Sequence, residues 1–321
     1  MKALVVHALS DDLSGTALAD MPAPTGGPGR LLIRVRAASL NYPDLLMTRG
    51  AYQLRPALSF TLGMEMAGEV VETGAGDFAV GDRVVAGTRL GSFAELVTVD
   101  ADAARRIPET LSFAQAACVG AAYLTAWVGL VALGRMRAGE WVLVHGATGG
   151  VGLAAVDLAH ALGAKVIATS RSPEKLALLA SGYPLDVTLP APGFRERVKE
   201  LTGGGADLVF DPVGGDVFDE STRCIGFGGR LLVIGFTSGR IASVPANIPL
   251  IKGFSVVGVR AGEYGRRDPV AGRAAADAVW RLAGEERIRP RVHATYKLAD
   301  WRAAFDAMTA ATHIGKLVIE P

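Results

Sequence analysis

The sequence predicts an α/β protein in which a doubly wound parallel sheet is inserted into a discontinuous, barrel-like β domain. Three observations predict it. Residues 140–159 read as a strand, a glycine turn and a helix, in that order. Residues 140–260 alternate apolar strands with helices, and the β style of residues 2–120 returns after residue 290.

Taken in order, Met1-Lys2-Ala3-Leu4-Val5-Val6 reads as a first strand. An aspartate pair and a helix-poor segment follow it, where a cleavable leader needs a cleavage site. Short β-branched runs such as 31–37 and 69–73 are then separated by turns at Gly26-Gly27-Pro28-Gly29, Gly74-Ala75-Gly76-Asp77 and Val80-Gly81-Asp82. Strands punctuated in this way predict a partly closed barrel. From Ser112 the period turns helical, and the apolar stretch from Ala114 to Leu133, interrupted by Gly120 and Gly129, predicts two helices.

Strands are then expected at 141–145, 165–169, 207–211, 230–235 and 254–259, and helices at 150–162, 173–181, 193–202, 216–226 and 247–252. Continuous apolar strands between amphipathic helices indicate a parallel sheet covered on both faces. A helix at 269–283, a strand at 292–296, a helix at 299–309 and a strand at 315–319 complete the chain. The expected domains are 1–119 with 290–321, and 120–289.

The run Gly146-Ala147-Thr148-Gly149-Gly150-Val151-Gly152 follows the apolar strand 141–145 and opens a helix. Glycines let the backbone turn tightly and approach phosphates, and free amides at a helix N-terminus meet their charge. A plain structural turn uses the same residues. The second strand, 165–169, follows at βαβ distance and favours a dinucleotide.

Lys and Arg number 33 against 32 Asp and Glu, a net charge of +1, which gives no electrostatic case for nucleic acid or an anionic membrane. No apolar run reaches bilayer length. Two cysteines, Cys118 and Cys224, supply neither a Cys₄ zinc site nor a disulfide framework. The expectation is a soluble protein of the reducing cytoplasm.

Several local stretches carry a resemblance. They are Ala38-Ser39-Leu40-Asn41-Tyr42-Pro43-Asp44, Arg49-Gly50-Ala51-Tyr52, Gly63-Met64-Glu65-Met66-Ala67-Gly68-Glu69-Val70, Thr125-Ala126-Trp127, the glycine turn, and the closing Gly315-Lys316. Over essentially its whole length the chain resembles the medium-chain dehydrogenase/reductase superfamily, and within it the zinc-independent quinone oxidoreductase (zeta-crystallin-like) branch. The resemblance implies a chaperonin-10-like catalytic domain and a Rossmann domain.

Zinc alcohol dehydrogenases of that superfamily place two cysteines and a histidine at positions that read here as Asn41, Ala121 and Met64. Asn and Met are poor Zn²⁺ ligands and Ala is none, so no metal is expected. Pro43 replaces the hydroxyl that relays the alcohol proton in those enzymes, and the structural-zinc lobe is absent. Without a metal the hydride needs an electrophilic acceptor: a quinone, an enone or a conjugated thioester. By resemblance Asn41 and Tyr52 line the reacting site and can donate to the oxygen on which charge develops. Asn41 capping a turn and Tyr52 packing as cleft wall account for the same residues. Asp44 and Arg49 read equally as an internal ion pair or as substrate groups, and Glu65 stands where the superfamily keeps an acid behind the metal ligands.

NAD-preferring sites keep an acid at the end of the second strand, a position that reads here as Ser170. Ser170, Arg171 and Lys175 make a neutral-to-basic patch suited to a 2′-phosphate, so NADPH is expected. A solvated loop with a Ser172-Pro173 helix cap fits the same residues. Further cofactor contacts implied by the resemblance are Thr125, Gly235 and Phe236 at the sheet's carboxyl edge, Asn247 and Lys316. His145 reads as a packed strand-end residue.

The expected activity is an NADPH-dependent reductase of quinones or α,β-unsaturated carbonyl compounds. An enoyl-thioester reductase is the rival within the fold, kept open by Arg260, Arg266 and Arg267 as a basic groove for phosphates. A non-catalytic NADPH-binding protein is the rival from another class. Strand 254–259, apolar and at the sheet edge, is expected to pair with its copy in a homodimer.

Overall fold

The computed structural model describes residues 1–321, which form two compact units: Met1–Ala121 with Pro290–Pro321, and Ala122–Arg289.

In the first unit the long strand Arg30–Ser39 is the organising element. On one edge it pairs antiparallel with Glu65–Thr73, which leads on to Arg83–Gly87 and Ala104–Arg106. Its other edge is shared: residues 30–34 pair with Leu96–Asp100, and Ala38 and Ser39 pair with Lys316–Glu320, itself beside Val292–Lys297. One strand serving three partners curls the sheet toward a barrel. Leu31, Ile33 and Val35 point inward while Arg34 and Arg36 face out, the alternation of a one-sided strand. A register shift after Val35 breaks that alternation, and Ala37, Ala38 and Ser39 are all buried. Phe93, Trp301 and Phe305 fill the core. A smaller sheet joins Thr16–Asp20, Lys2–Val6 and Phe60–Thr61.

The second unit holds six parallel strands in the order Val187–Pro190, Lys165–Ser170, Trp141–Val144, Ala206–Asp211, Ile225–Val233 and Ser255–Gly258. Chain order reverses beside Trp141–Val144, the switch point at which open α/β sheets bind ligands. Val142, Leu143 and Val144 are wholly buried, as a strand covered on both faces requires. The fold class is therefore the expected one, with differences in detail.

The stretch expected as two helices is three pieces. Phe113–Ala117 and Gly120–Trp127 are α-helical, and Val128–Leu133 widens to a π-helix closed by Gly134 N–H donating to Gly129 O at 2.7 Å. A β-carbon at Gly129 would stand 3.1 Å from the Phe210 ring, so this turn lies hard against the sheet. The helix expected over 216–226 is Gly215–Ser221, because a strand already begins at Ile225. Its start is masked in the sequence by Gly226, Gly228 and Gly229, where the ladder to Ala206–Asp211 shifts register. Val187–Pro190 and the helix Ala261–Arg267 have no counterpart among the expected elements.

Candidate functional site

The glycine turn leaves strand Trp141–Val144 at its carboxyl end. Gly146 takes φ +56°, a conformation disfavoured for side-chain-bearing residues, and Gly149 caps the helix Gly150–Ala161. A β-carbon at Gly152 would lie 2.2 Å from Gly146 O, so only glycine lets helix and turn pack this closely. Thr148 and Ser170 hydroxyls lie 3.3 Å apart, tying the turn to the end of the second strand. Val151 follows Gly150 in the first helical turn. The cradle has the shape and free amides that a pyrophosphate takes.

Around it, Arg171 is exposed and Lys175 half-buried. Burial, then the charge of Arg171, lowers the Lys175 pKa. Ser172 accepts from Lys175 N–H at 3.2 Å and donates to Glu174 at 2.8 Å, so the helix-cap reading of this loop holds alongside any binding role. Gly235 and the part-exposed Phe236 follow strand Ile225–Val233 at the same sheet edge. Asn247 opens the surface helix Asn247–Lys252, and no hydrogen bond links it to the turn. Thr125 is half-buried on Gly120–Trp127.

One support of this site, Asp211, is absent from the sequence reading, and a second, His145, is read there as a packed strand-end residue. Asp211 ends its strand by accepting from Val213 and Gly214 N–H at 2.8 and 2.9 Å, which fixes a turn against Gly146. The Asp-Pro-Val-Gly-Gly run is the signal available for it. His145 is wholly buried, 2.7 Å from both Thr169 Oγ1 and Ser221 Oγ. Ser221 gives its proton to Val217 O, so Nε2–H donates to Ser221 and Nδ1 accepts from Thr169. Burial pushes the imidazole pKa down to about 3. The ring is a neutral clamp among two strands and a helix.

In the first unit, side chains from three distant stretches of the chain form one buried cluster. Lys316 donates to Asn41 Oδ1 at 2.6 Å, Leu40 O at 3.1 Å and Glu65 Oε1 at 3.4 Å. Asn41 Nδ2 donates to Glu65 Oε1 at 2.9 Å and Ser39 O at 3.2 Å. Glu65 also accepts from the Ser39 hydroxyl and, at 2.6 Å, from Ala121 N–H. Asp44 accepts from Asn41 N–H at 2.8 Å at the start of helix Tyr42–Thr48. Burial pushes the Asp44 pKa up to about 7, against the opposing pull of that amide and of the Lys316 charge. Tyr52 is half-buried against the core of this unit.

Residues 27–109 match the alcohol dehydrogenase GroES-like domain family, and residues 150–276 match the zinc-binding dehydrogenase family. The quinone oxidoreductase-like protein 2 of Mus musculus is 37% identical over 303 residues, covering 93% of this chain and 86% of that one. The chain belongs to the medium-chain dehydrogenase/reductase superfamily. The quinone oxidoreductase of Thermus thermophilus, solved also in complex with NADPH, superposes with a TM-score of 0.87 at 32% identity over 100% of both chains. A mycocerosic acid synthase-like polyketide synthase of Mycobacterium tuberculosis is 36% identical over 303 residues, 92% of this chain but 14% of that protein.

Three of the residues singled out in the sequence have protein partners in the first unit. Lys316, expected at the cofactor, lies in the first unit with its three N–H donors directed to protein acceptors. Asn41, expected to donate to an acceptor oxygen, has both amide protons engaged by Glu65 and Ser39 O. Asp44 caps the Asn41 amide and forms no ion pair with Arg49, whose Nε has no partner. At the positions where zinc relatives hold ligands, Asn41 binds the ammonium, Ala121 offers only an N–H, and no three His, Cys, Asp or Glu side chains converge. Cys118 is buried, and its thiol pKa is pushed up to about 12 by that burial. Arg260, Arg266 and Arg267 all pair with one carboxylate, Glu263. No helix is long and apolar enough to cross a membrane.

Proposed function

We propose that this chain is a zinc-independent, NADPH-dependent reductase that passes hydride to quinones or α,β-unsaturated carbonyl compounds. The observation that carries it is the donor set of the catalytic unit, where an ammonium and two side chains satisfy one another and leave no array of metal ligands. The quinone oxidoreductase relatives support the reaction class, and the Thermus NADPH complex supports the cofactor.

When bound, NADPH supplies the hydride. The amides opening helix Gly150–Ala161 receive the pyrophosphate, and Ser170, Arg171 and Lys175 receive the 2′-phosphate. Hydride addition to the acceptor carbon leaves charge on its oxygen, to which the Tyr52 hydroxyl donates while solvent supplies the proton. Asn41 acts through its neighbours rather than by donating.

The test is NADPH oxidation by chelator-treated protein with 1,4-benzoquinone, 9,10-phenanthrenequinone, a simple enone and crotonyl-CoA. Turnover of quinones or the enone supports the proposal. Preference for crotonyl-CoA moves it to enoyl-thioester reduction, which the polyketide synthase similarity favours. Binding of NADPH without turnover selects the non-catalytic alternative.

We further propose a homodimer through edge strand Ser255–Gly258. Phe227, Leu250, Ile251 and Val256 are exposed on that side of the sheet, and a bare edge is an association surface. A stable monomer at micromolar concentration in analytical ultracentrifugation contradicts this. Two buried free thiols accord with placement in the reducing cytoplasm.

A further inference from the structure

We infer that Lys316 is a positioning residue that fixes the Asn41 amide, and that it does not bind the cofactor phosphates. The inference rests on the reductase reading only for its effect on rate.

Lys316 is 7% exposed, and each proton of its ammonium points to a protein oxygen. A phosphate would gain it only by breaking a buried bond, which costs the desolvation of the group left behind. The cluster also settles which way round Asn41 lies. Its Oδ1 faces an ammonium, which can only donate, and its Nδ2 faces a carboxylate and a carbonyl, which can only accept. A flipped amide would set oxygen against Glu65 and N–H against the ammonium, so one orientation is allowed. Asn41 in turn holds Asp44 through its backbone N–H and begins the helix that leads through Arg49 and Gly50 to Tyr52. The charge is balanced within the cluster: Glu65 accepts from Ser39, Asn41, Lys316 and the Ala121 amide.

Such an arrangement is not the cheapest way to fill the space. Replacing a buried ion pair with apolar residues of similar volume is often neutral or stabilising, whereas removing one partner strands a buried charge. Lys316→Met alone therefore risks misfolding through the uncompensated Glu65. The double variant Lys316→Met/Glu65→Gln removes both charges, and circular dichroism checks that it folds.

The experiment measures NADPH affinity by fluorescence, steady-state kinetics, and the Asn41 side-chain amide resonances by ¹⁵N NMR, in wild type and the double variant. The expected result is an NADPH Kd within about twofold of wild type and a kcat lower by about 10²-fold, the scale of a small misplacement of reacting groups. The Asn41 resonances should stay in place when NADPH is added to wild type and be displaced in the double variant. An NADPH Kd weakened about tenfold or more, roughly the loss of a phosphate contact, would overturn the inference. So would wild-type kcat in the double variant, which would make the pair structural alone. If wild type binds NADPH but reduces no acceptor, the reductase reading fails separately. The Asn41 resonances then decide: displacement in the double variant sustains the positioning role, and unchanged resonances overturn it.

Discussion

Gly152 stands so close to Gly146 that a β-carbon on it would lie 2.2 Å from the Gly146 carbonyl oxygen. Backbone cannot yield to that contact as a flexible side chain can. Gly152→Ala should cost about 1–3 kcal/mol, the usual scale of overpacking. It should also weaken NADPH binding by more than about tenfold, because the helix amides move from the turn. Urea unfolding and fluorescence titration measure the two effects.

Cofactor choice is predicted to turn on the end of the second strand. Ser170→Asp places a carboxylate beside Thr148, where it repels a 2′-phosphate and accepts from ribose hydroxyls. The ratio of NADPH to NADH affinity should fall by at least about tenfold, equivalent to about 1.4 kcal/mol. Arg171→Ala should weaken NADPH and leave NADH nearly unchanged. Equal losses for both cofactors would remove Arg171 from the phosphate site.

His145 predicts a pH dependence of stability. Its folded pKa of about 3 lies below its ordinary value of 6.5, so the unfolded chain binds the proton more readily. The stability it confers is complete above pH 6.5 and falls with decreasing pH, by up to about 1.4 kcal/mol per unit until about pH 3. His145→Gln lacks this titration. Its urea midpoint should therefore fall less than that of wild type between pH 7 and pH 5.

Asp44 has the opposite sign. Its folded pKa of about 7 lies above its ordinary 3.8, so its contribution is greatest below pH 3.8 and is lost as pH rises through 7. Asp44→Asn keeps an acceptor for the Asn41 amide without the charge. Its stability relative to wild type should increase from pH 5 to pH 8 in denaturant melts. A constant difference would show that the carboxyl stays ionised throughout.

The nucleotide-binding unit is legible in the sequence because its signals are local. The turn's glycines are successive letters, and strands such as Val142–Val144, buried on both faces, appear as unbroken apolar runs. Val187–Pro190 gives no such signal because an edge strand is only half covered, and its residues are half-buried or exposed. The strand beginning at Ile225 is hidden by glycines that read as a turn. The buried cluster around Glu65 is the least legible part. Lys316 stands 275 residues from Asn41 and 251 from Glu65, and no local pattern joins them. Resemblance points to all three positions, but it assigns Lys316 to the cofactor, and only the geometry shows its three hydrogen bonds to Leu40, Asn41 and Glu65.

The most direct test of the central claim is steady-state NADPH oxidation with 9,10-phenanthrenequinone before and after exhaustive dialysis against EDTA, with NADH run in parallel. Metal-free hydride transfer predicts an unchanged rate after dialysis and a preference for NADPH. Loss of turnover that returns on adding Zn²⁺ would contradict it.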